Sequence, residues 1–261
     1  MSQAEENVLL LDYPEEGVAR LTLNRPDATN ALSLELQKQL SEQFTALTVD
    51  SAVRCIILTG GDEVFAAGGD ITTMMDADPI EIYQRHTERL WAPIQHCPKP
   101  VIAAICGYAF GGGCELAMHA DILVAGEGAS FCQPEVRIGI MPGIGGTQRL
   151  LRAVGKAKAM QMALTGKPIT AKEAWVSGLV SELVPDEDVQ EKALSIARNI
   201  ARMPPLAVEQ IKEVILLGMD ASLESALAME RKANAMLFAS RDQQEGMTAF
   251  LEKRHPKFNG Q

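Results

Sequence analysis

The sequence predicts an α/β fold, and three observations carry that expectation. Short apolar runs rich in strand formers recur along the first part of the chain. Amphipathic helical stretches separate them, which implies β-α-β units with right-handed crossovers. Beyond about Thr147 the strand signals fade and helical patterns dominate to the end. A length of 261 residues suits one large domain or two small ones, and 47% hydrophobic residues is ample for a large core.

The elements follow in order. Val18 to Leu23 alternates and is rich in strand formers. It ends at Asn24-Arg25-Pro26-Asp27, a loop signal. Ser33 is placed to cap a helix with Glu35 in its first turn, and Leu36, Leu40, Phe44 and Leu47 fall on one face of it. Arg54 to Thr59 is an apolar run suited to a buried strand. The small-residue segment Phe65 to Asp70 follows, then a helix over Ile80 to Ile94. Pro100 to Cys106 is a second buried strand; it runs through Gly107-Tyr108-Ala109-Phe110 into Gly111-Gly112-Gly113, where a helix should start. Asp121 to Ala125 is a third buried strand, and Gly126 to Gly146 is rich in turns. Ala207 to Leu217, Leu223 to Phe238 and Gln243 to Lys253 are the clearest later helices, the last with Met247, Phe250 and Leu251 on its apolar face. Pro204-Pro205 marks the junction between a core, residues 1–203, and a helical region, residues 204–261. So small a helical region can hardly bury its apolar stripes alone, and a partner subunit is the expected cover.

Composition excludes several classes of function. A formal net charge of −10 disfavours nucleic acid and anionic membranes as partners. No run approaches the roughly 18 apolar residues of a membrane span. The acidic start has neither a secretory nor an Arg-rich transit pattern, so a cytoplasmic protein is expected. The five cysteines (Cys55, Cys97, Cys106, Cys114, Cys132) are odd in number and lack CxxC spacing, against a disulfide framework or a zinc site. Most sit in apolar or Gly-rich surroundings, as small buried hydrophobes do. His86, His96, His119 and His255 show no metal-ligand or triad spacing, so no metal is expected.

Three stretches carry candidate chemistry. In Phe65-Ala66-Ala67-Gly68-Gly69-Asp70 the small residues let another group approach the backbone closely, although a tight turn would read the same way. In Gly111-Gly112-Gly113-Cys114-Glu115 a helix start leaves amide N–H groups without intrahelical partners, a setting that favours an anion or oxyanion. Glu115 lies in that first turn, where the helix dipole alone would also favour it. A GxGxxG phosphate loop fits poorly, because Phe110 occupies the place of its first glycine. In Phe131-Cys132-Gln133-Pro134-Glu135 the glutamate lies in irregular backbone, where functional side chains concentrate and capping carboxylates also occur.

Together these stretches resemble the crotonase superfamily, the enoyl-CoA hydratase/isomerase family. The resemblance covers nearly the whole chain: Leu23-Asn24-Arg25-Pro26, Asn30-Ala31-Leu32, AAGGD (Ala66 to Asp70), KPVIAAICGYAFGGGCELA (Lys99 to Ala117), QPE (Gln133 to Glu135), GIMPGIGGTQRL (Gly139 to Leu150) and EGMTAFLEKRHPKF (Glu245 to Phe258). It implies a spiral of repeated β-β-α units with a helical C-terminal region. It implies an oxyanion hole from the backbone amides of Gly69 and Gly112, and a glutamate pair, Glu115 and Glu135, that holds a water between them. Glu115 is expected to act as base toward that water and Glu135 as proton donor to the α-carbon. The adenosine end of CoA is expected on Ala67, Gly69, Asp70, Ile71 and Thr72, with Phe250 and Lys253 reaching CoA across a subunit boundary. Lysines common around the AAGxD stretch are replaced here by Glu63 and Thr72, with Arg25 as a compensating cation.

The resemblance therefore implies reversible hydration of a trans-2-enoyl-CoA by a homo-oligomer, a trimer or a hexamer built as a dimer of trimers. No cofactor is implied beyond coenzyme A as part of the substrate. Short-chain fatty-acid oxidation and phenylacetate catabolism are the settings it suggests. Isomerisation of a 3-enoyl-CoA can run on one carboxylate, so the second glutamate weighs against it. RNA binding would want a Lys-rich helix face, which the acidic balance opposes. Met74, Met75, Trp91 and Phe110 are candidates for the acyl pocket, at a spacing that suits core packing equally.

Overall fold

A computed structural model describes residues 7–71, 75 and 78–261. The chain opens with β1 (Leu9–Glu15) and β2 (Val18–Leu23), an antiparallel hairpin turned by Gly17 at φ +78°. Helix α1 (Leu34–Val49) is capped by Ser33, whose side chain accepts from Leu36 N at 3.2 Å, and buries Leu36, Leu40, Phe44 and Leu47 as its 3.6-residue spacing requires. Strand β3 (Cys55–Thr59) follows. The single helix expected over residues 80–94 is instead two, α2 (Pro79–Gln84) and α3 (Glu88–Gln95). His86 between them has a left-handed backbone (φ 45°), which breaks the helical hydrogen-bond ladder.

Strand β4 (Val101–Ile105), β5 (Tyr108–Phe110) and α4 (Gly112–Ala117) form one β-β-α turn. Then β6 (Ile122–Gly126) and β7 (Ser130–Cys132), a 3₁₀ turn at Glu135–Ile138 and α5 (Gly146–Thr165, kinked at Gly155) form the next. Two further strands lie beyond Thr147, β8 (Ile169–Thr170) and β9 (Glu182–Val184), with α6 (Ala171–Val176) between them. Strands this short carry no periodicity that a sequence window can read. Helix α7 (Val189–Ala201) precedes α8 (Pro205–Gly218), α9 (Leu223–Leu237) and α10 (Arg241–Glu252).

Alternate strands go to two sheets. The six-stranded sheet has the order β1-β2-β3-β4-β6-β9 and is parallel from β2 onwards; the second has the order β5-β7-β8. Isolated bridges Leu32↔Gly69 and Ala66↔Ala109 extend the second layer backwards, so residues 66–69 lie beside β5. The chain thus spirals, laying one strand on each layer per turn. The β3 and β4 residues are all buried, as expected of strands covered on both faces. One face packs against α1 and α3; the other packs Val18, Cys55, Ile57, Ile102 and Val124 against the alanine-lined face of α7. All five cysteines are buried and free.

Helix α8 starts at the sequence's proline pair, with Pro205 in its first turn. Lys212 ties it to the core, donating to the Lys99 carbonyl at 2.8 Å and to Asp121 Oδ2 at 2.6 Å. The C-terminal segment returns to the core at Arg54, which donates to the Phe258 carbonyl. Among the described residues no helix is long and apolar enough to cross a membrane.

Candidate active site

The site lies where the second layer turns into α4. Asn30, buried and left-handed at φ 56°, donates to the carbonyls of Gly60 and Val64 and fixes the loop that leads in. Residues 66–68 are then pinned on both sides: Ala66 N donates to Tyr108 O, Phe110 N to Ala66 O, and Leu32 N to Gly68 O. Gly68 has φ +116°, and a Cβ there would sit 3.0 Å from the Phe110 carbonyl, so glycine is required on both counts. A Cβ on Gly68 would lie 3.6 Å from Gly112 N, and one on Gly112 would lie 3.4 Å from Gly69 N. The two backbones are therefore in contact, with the Gly69 and Gly112 amides side by side. Neither N–H donates to a carbonyl or side chain among the described residues.

Glu115 follows within one turn. It is 2% exposed, and its Oε1 accepts from Ile144 N at 2.6 Å and Gly146 N at 2.7 Å. Burial raises its pKa, while those amides and the Arg149 guanidinium oppose the rise. Glu135 opens the 3₁₀ turn after β7, with Oε1 beside Gly111: a Cβ there would lie 3.0 Å away. Burial first, and then the charge of Glu115, push Glu135 up to about 7. Gln133, fully buried, has one end of its side-chain amide 3.2 Å from both Glu135 oxygens, and the amide orientation that satisfies them puts its nitrogen there as donor. The structure thus places the two sequence-predicted glutamates next to the two free amides. One carboxylate is held by backbone donors, and the other is biased toward its protonated form.

The remaining candidates are placed as follows. Ala67 and Asp70 are half-buried, and Gly69 and Ile71 are exposed. Arg25 donates to the Ala31 carbonyl and lies 3.7 Å from Asp70, so part of its charge is met within the chain. Thr72 and Met74 lie outside the described residues. Met75 is exposed and Phe110 is half-buried against Tyr108. Trp91 belongs to the core, where it donates to Gln37 and packs on His119. Phe250, 83% exposed, and Lys253 sit at the end of α10, whose hydrogen bonds run to its own C-terminal segment. No hydrogen bond or ion pair joins either residue to the glutamate pair among the described residues.

Sequence reasoning missed Gln133, the amides of Ile144 and Gly146, and Arg149. The QPE and GIGGTQRL stretches mark all four. Backbone donors and a charge one layer behind the pair, however, leave no pattern of their own.

Comparison with known proteins gives the family. The family model described as enoyl-CoA hydratase/isomerase matches residues 14–261. A 2,3-dehydroadipyl-CoA hydratase of Escherichia coli K12 is 44% identical over 246 residues, 94% of this chain and 96% of that one. A mitochondrial enoyl-CoA hydratase of Pongo abelii is 45% identical over 244 residues, covering 94% of this chain and 84% of that one. The crystal structure of an enoyl-CoA hydratase from Bacillus anthracis superposes with a TM-score of 0.92 at 37% identity, covering 97% of this chain and 100% of that one.

Proposed function

This chain belongs to the enoyl-CoA hydratase/isomerase family and has its crotonase fold, and from that premise we infer how its glutamate pair works. The protein is an enzyme of the hydro-lyase kind, an enoyl-CoA hydratase that acts on an acyl-CoA. The observation that carries the mechanism is the pairing of two glutamates in unlike environments beside two free amides.

The Gly69 and Gly112 N–H groups receive the thioester oxygen of a trans-2-enoyl-CoA. Negative charge grows on that oxygen as the β-carbon is attacked, so the donors stabilise the transition state more than the ground state. Glu115 is the base. A carboxylate has about four acceptor sites, so with Oε1 held by two amides it still accepts a proton from water. The water oxygen bonds to the β-carbon, the π electrons move onto the enolate, and Glu135 delivers its proton to the α-carbon. The product is a 3-hydroxyacyl-CoA, with Glu115 protonated and Glu135 ionised; proton exchange with solvent resets the pair. Backbone amides do the polarising, so the reaction calls for no metal or redox cofactor.

The CoA moiety is proposed to lie along Ala67 and Gly69 to Thr72, with Arg25 nearby and with Phe250 and Lys253 supplied by a neighbouring subunit. Residues 204–261 would then be the trimerisation region beside a spiral core, 1–203, in a trimer or a dimer of trimers. Exposed apolar side chains such as Ile211, Leu217, Leu223, Phe238 and Leu251 support that reading. A cytoplasmic setting is supported by five free, buried thiols. β-Oxidation and phenylacetate catabolism both consume trans-2-enoyl-CoA esters, and either accommodates this reaction. Isomerisation and RNA binding are disfavoured by the second glutamate and by the charge of −10.

The test is hydration of a panel of trans-2-enoyl-CoA esters, from crotonyl to long-chain, with 2,3-dehydroadipyl-CoA as a dicarboxylic arm. Turnover of at least one is expected. Isomerisation of 3-enoyl-CoA esters without hydration of any 2-enoyl ester would overturn the reading.

A further inference from the structure

Arg149 lies in the first turn of α5, and its surroundings are built around it. Its Nη1 donates to the Ile144 carbonyl at 3.4 Å, and its backbone N–H donates to Gly145 O at 2.8 Å. Gly145 has φ +98°, and a Cβ there would fall 1.9 Å from Nη1. The guanidinium therefore occupies the space that a side chain at Gly145 would need. The loop it touches, residues 143–146, is the one whose Ile144 and Gly146 amides hold Glu115 Oε1. No carboxylate forms an ion pair with Arg149 among the described residues.

The titratable and charged groups around Glu115 are few. Cys114 stands beside it on α4, and His119 Nδ1 bonds the Glu115 carbonyl at 2.8 Å. Glu135, on the 3₁₀ turn, and Arg149, on α5, are near enough for their charges to act on it, and Cys132 neighbours Cys114 and Glu135 from β7. Burial pushes Cys114 up to about 12 and Cys132 up to about 11, and pushes His119 down to about 4, so all three are neutral near pH 7. Arg149 and Glu115 thus hold the same loop residue from its two ends, the carboxylate at the Ile144 amide and the guanidinium at the Ile144 carbonyl.

We propose that Arg149 is a positioning residue for hydration: it braces loop 143–146 through the Ile144 carbonyl and supplies the positive charge that keeps Glu115 in the carboxylate form a base requires. This rests on the hydratase reading above. The role is tested with R149M and R149Q, which both remove the bond and the charge, and R149K, which keeps the charge. In R149M and R149Q the acidic limb of kcat/KM moves up by about one pH unit, a tenfold change in proton affinity. R149K leaves the limb near that of the parent while kcat falls, and KM for the ester changes little in all three. R149Q decides the matter where R149M does not fold, because it keeps a polar side chain beside the Ile144 carbonyl and the solvent. An acidic limb unmoved in R149Q, whatever happens to kcat, overturns the proposal. E115Q run alongside separates the two failures: if E115Q keeps full activity, the hydratase mechanism itself is wrong; if E115Q is inactive and the R149Q limb is unmoved, the role of Arg149 alone falls.

Discussion

Glu135 carries an electrostatic signature that two measurements can read. Burial and the nearby Glu115 hold it near 7, against an ordinary 4.5. The pair should therefore work with one proton between its members, and kcat/KM for hydration should fall as pH rises through about 7. E135Q should lose that basic limb along with about 10²–10⁴-fold of kcat, since one positioned acid or base is worth that much. The same shift is a statement about stability. A carboxyl group whose pKa is raised in the fold contributes stability below its unfolded value, and that contribution is lost as pH rises through the folded value. Glutamine has no such dependence, so E135Q should gain in Tm relative to the parent between pH 5 and pH 8; equal Tm differences at both ends would show that the group is not desolvated. Both glutamates were legible in the sequence through the family resemblance, because the Gly-rich helix start and the QPE segment alone read equally as settings for a dipole-favoured or capping carboxylate. Their unlike environments were not, since these come from amides and a guanidinium some 30 residues away in the chain.

Among the elements, α4 and the loop before α5 are the ones the chemistry leans on. Gly112 is the first residue of α4, a position that tolerates proline because its N–H has no intrahelical acceptor. G112P should therefore keep the helix and delete one oxyanion donor, lowering kcat about 10²–10³-fold; full activity in a folded G112P protein would reduce the residue to packing. Gly146 tests the other side of the site. A Cβ there would meet Glu115 Oε1 at 2.9 Å, the end of the Gln133 side-chain amide at 3.0 Å and Pro142 Cβ at 2.7 Å. G146A should cost about 1–3 kcal/mol of stability through overpacking and displace the base, which thermal unfolding and kcat would report together. Elements with a full apolar stripe or a continuous buried run, such as α1, β3 and β4, were readable from residue order. The break at His86 and the strands β8 and β9 were not: a single left-handed residue and two- or three-residue strands are decided by what packs on them.

At the scale of the whole molecule, the helical region leaves Ile211, Leu217, Phe238, Phe250 and Leu251 at the surface, the last two more than three-quarters exposed. These side chains are the proposed association surface. The motif resemblance, together with the position of Phe250 and Lys253 at the end of α10, argues for sites completed between subunits. An oligomer assembled from an E115Q/E135Q chain and a K253A chain should then contain some doubly impaired and some intact sites. Its activity at low substrate should exceed the weighted mean of the two parents; activity equal to that mean, or a monomer in sedimentation, would count against shared sites. The central claim is narrower and sits within each chain: two glutamates of unlike character add water across an activated double bond. Its most direct test follows hydration of a good trans-2-enoyl-CoA substrate, and deuterium uptake at the α-carbon, in the parent, E115Q and E135Q. Both variants should still bind the ester with a Kd close to that of the parent while kcat collapses, and α-carbon exchange should suffer more in E135Q. Hydration at the parent's rate in either variant would contradict the account.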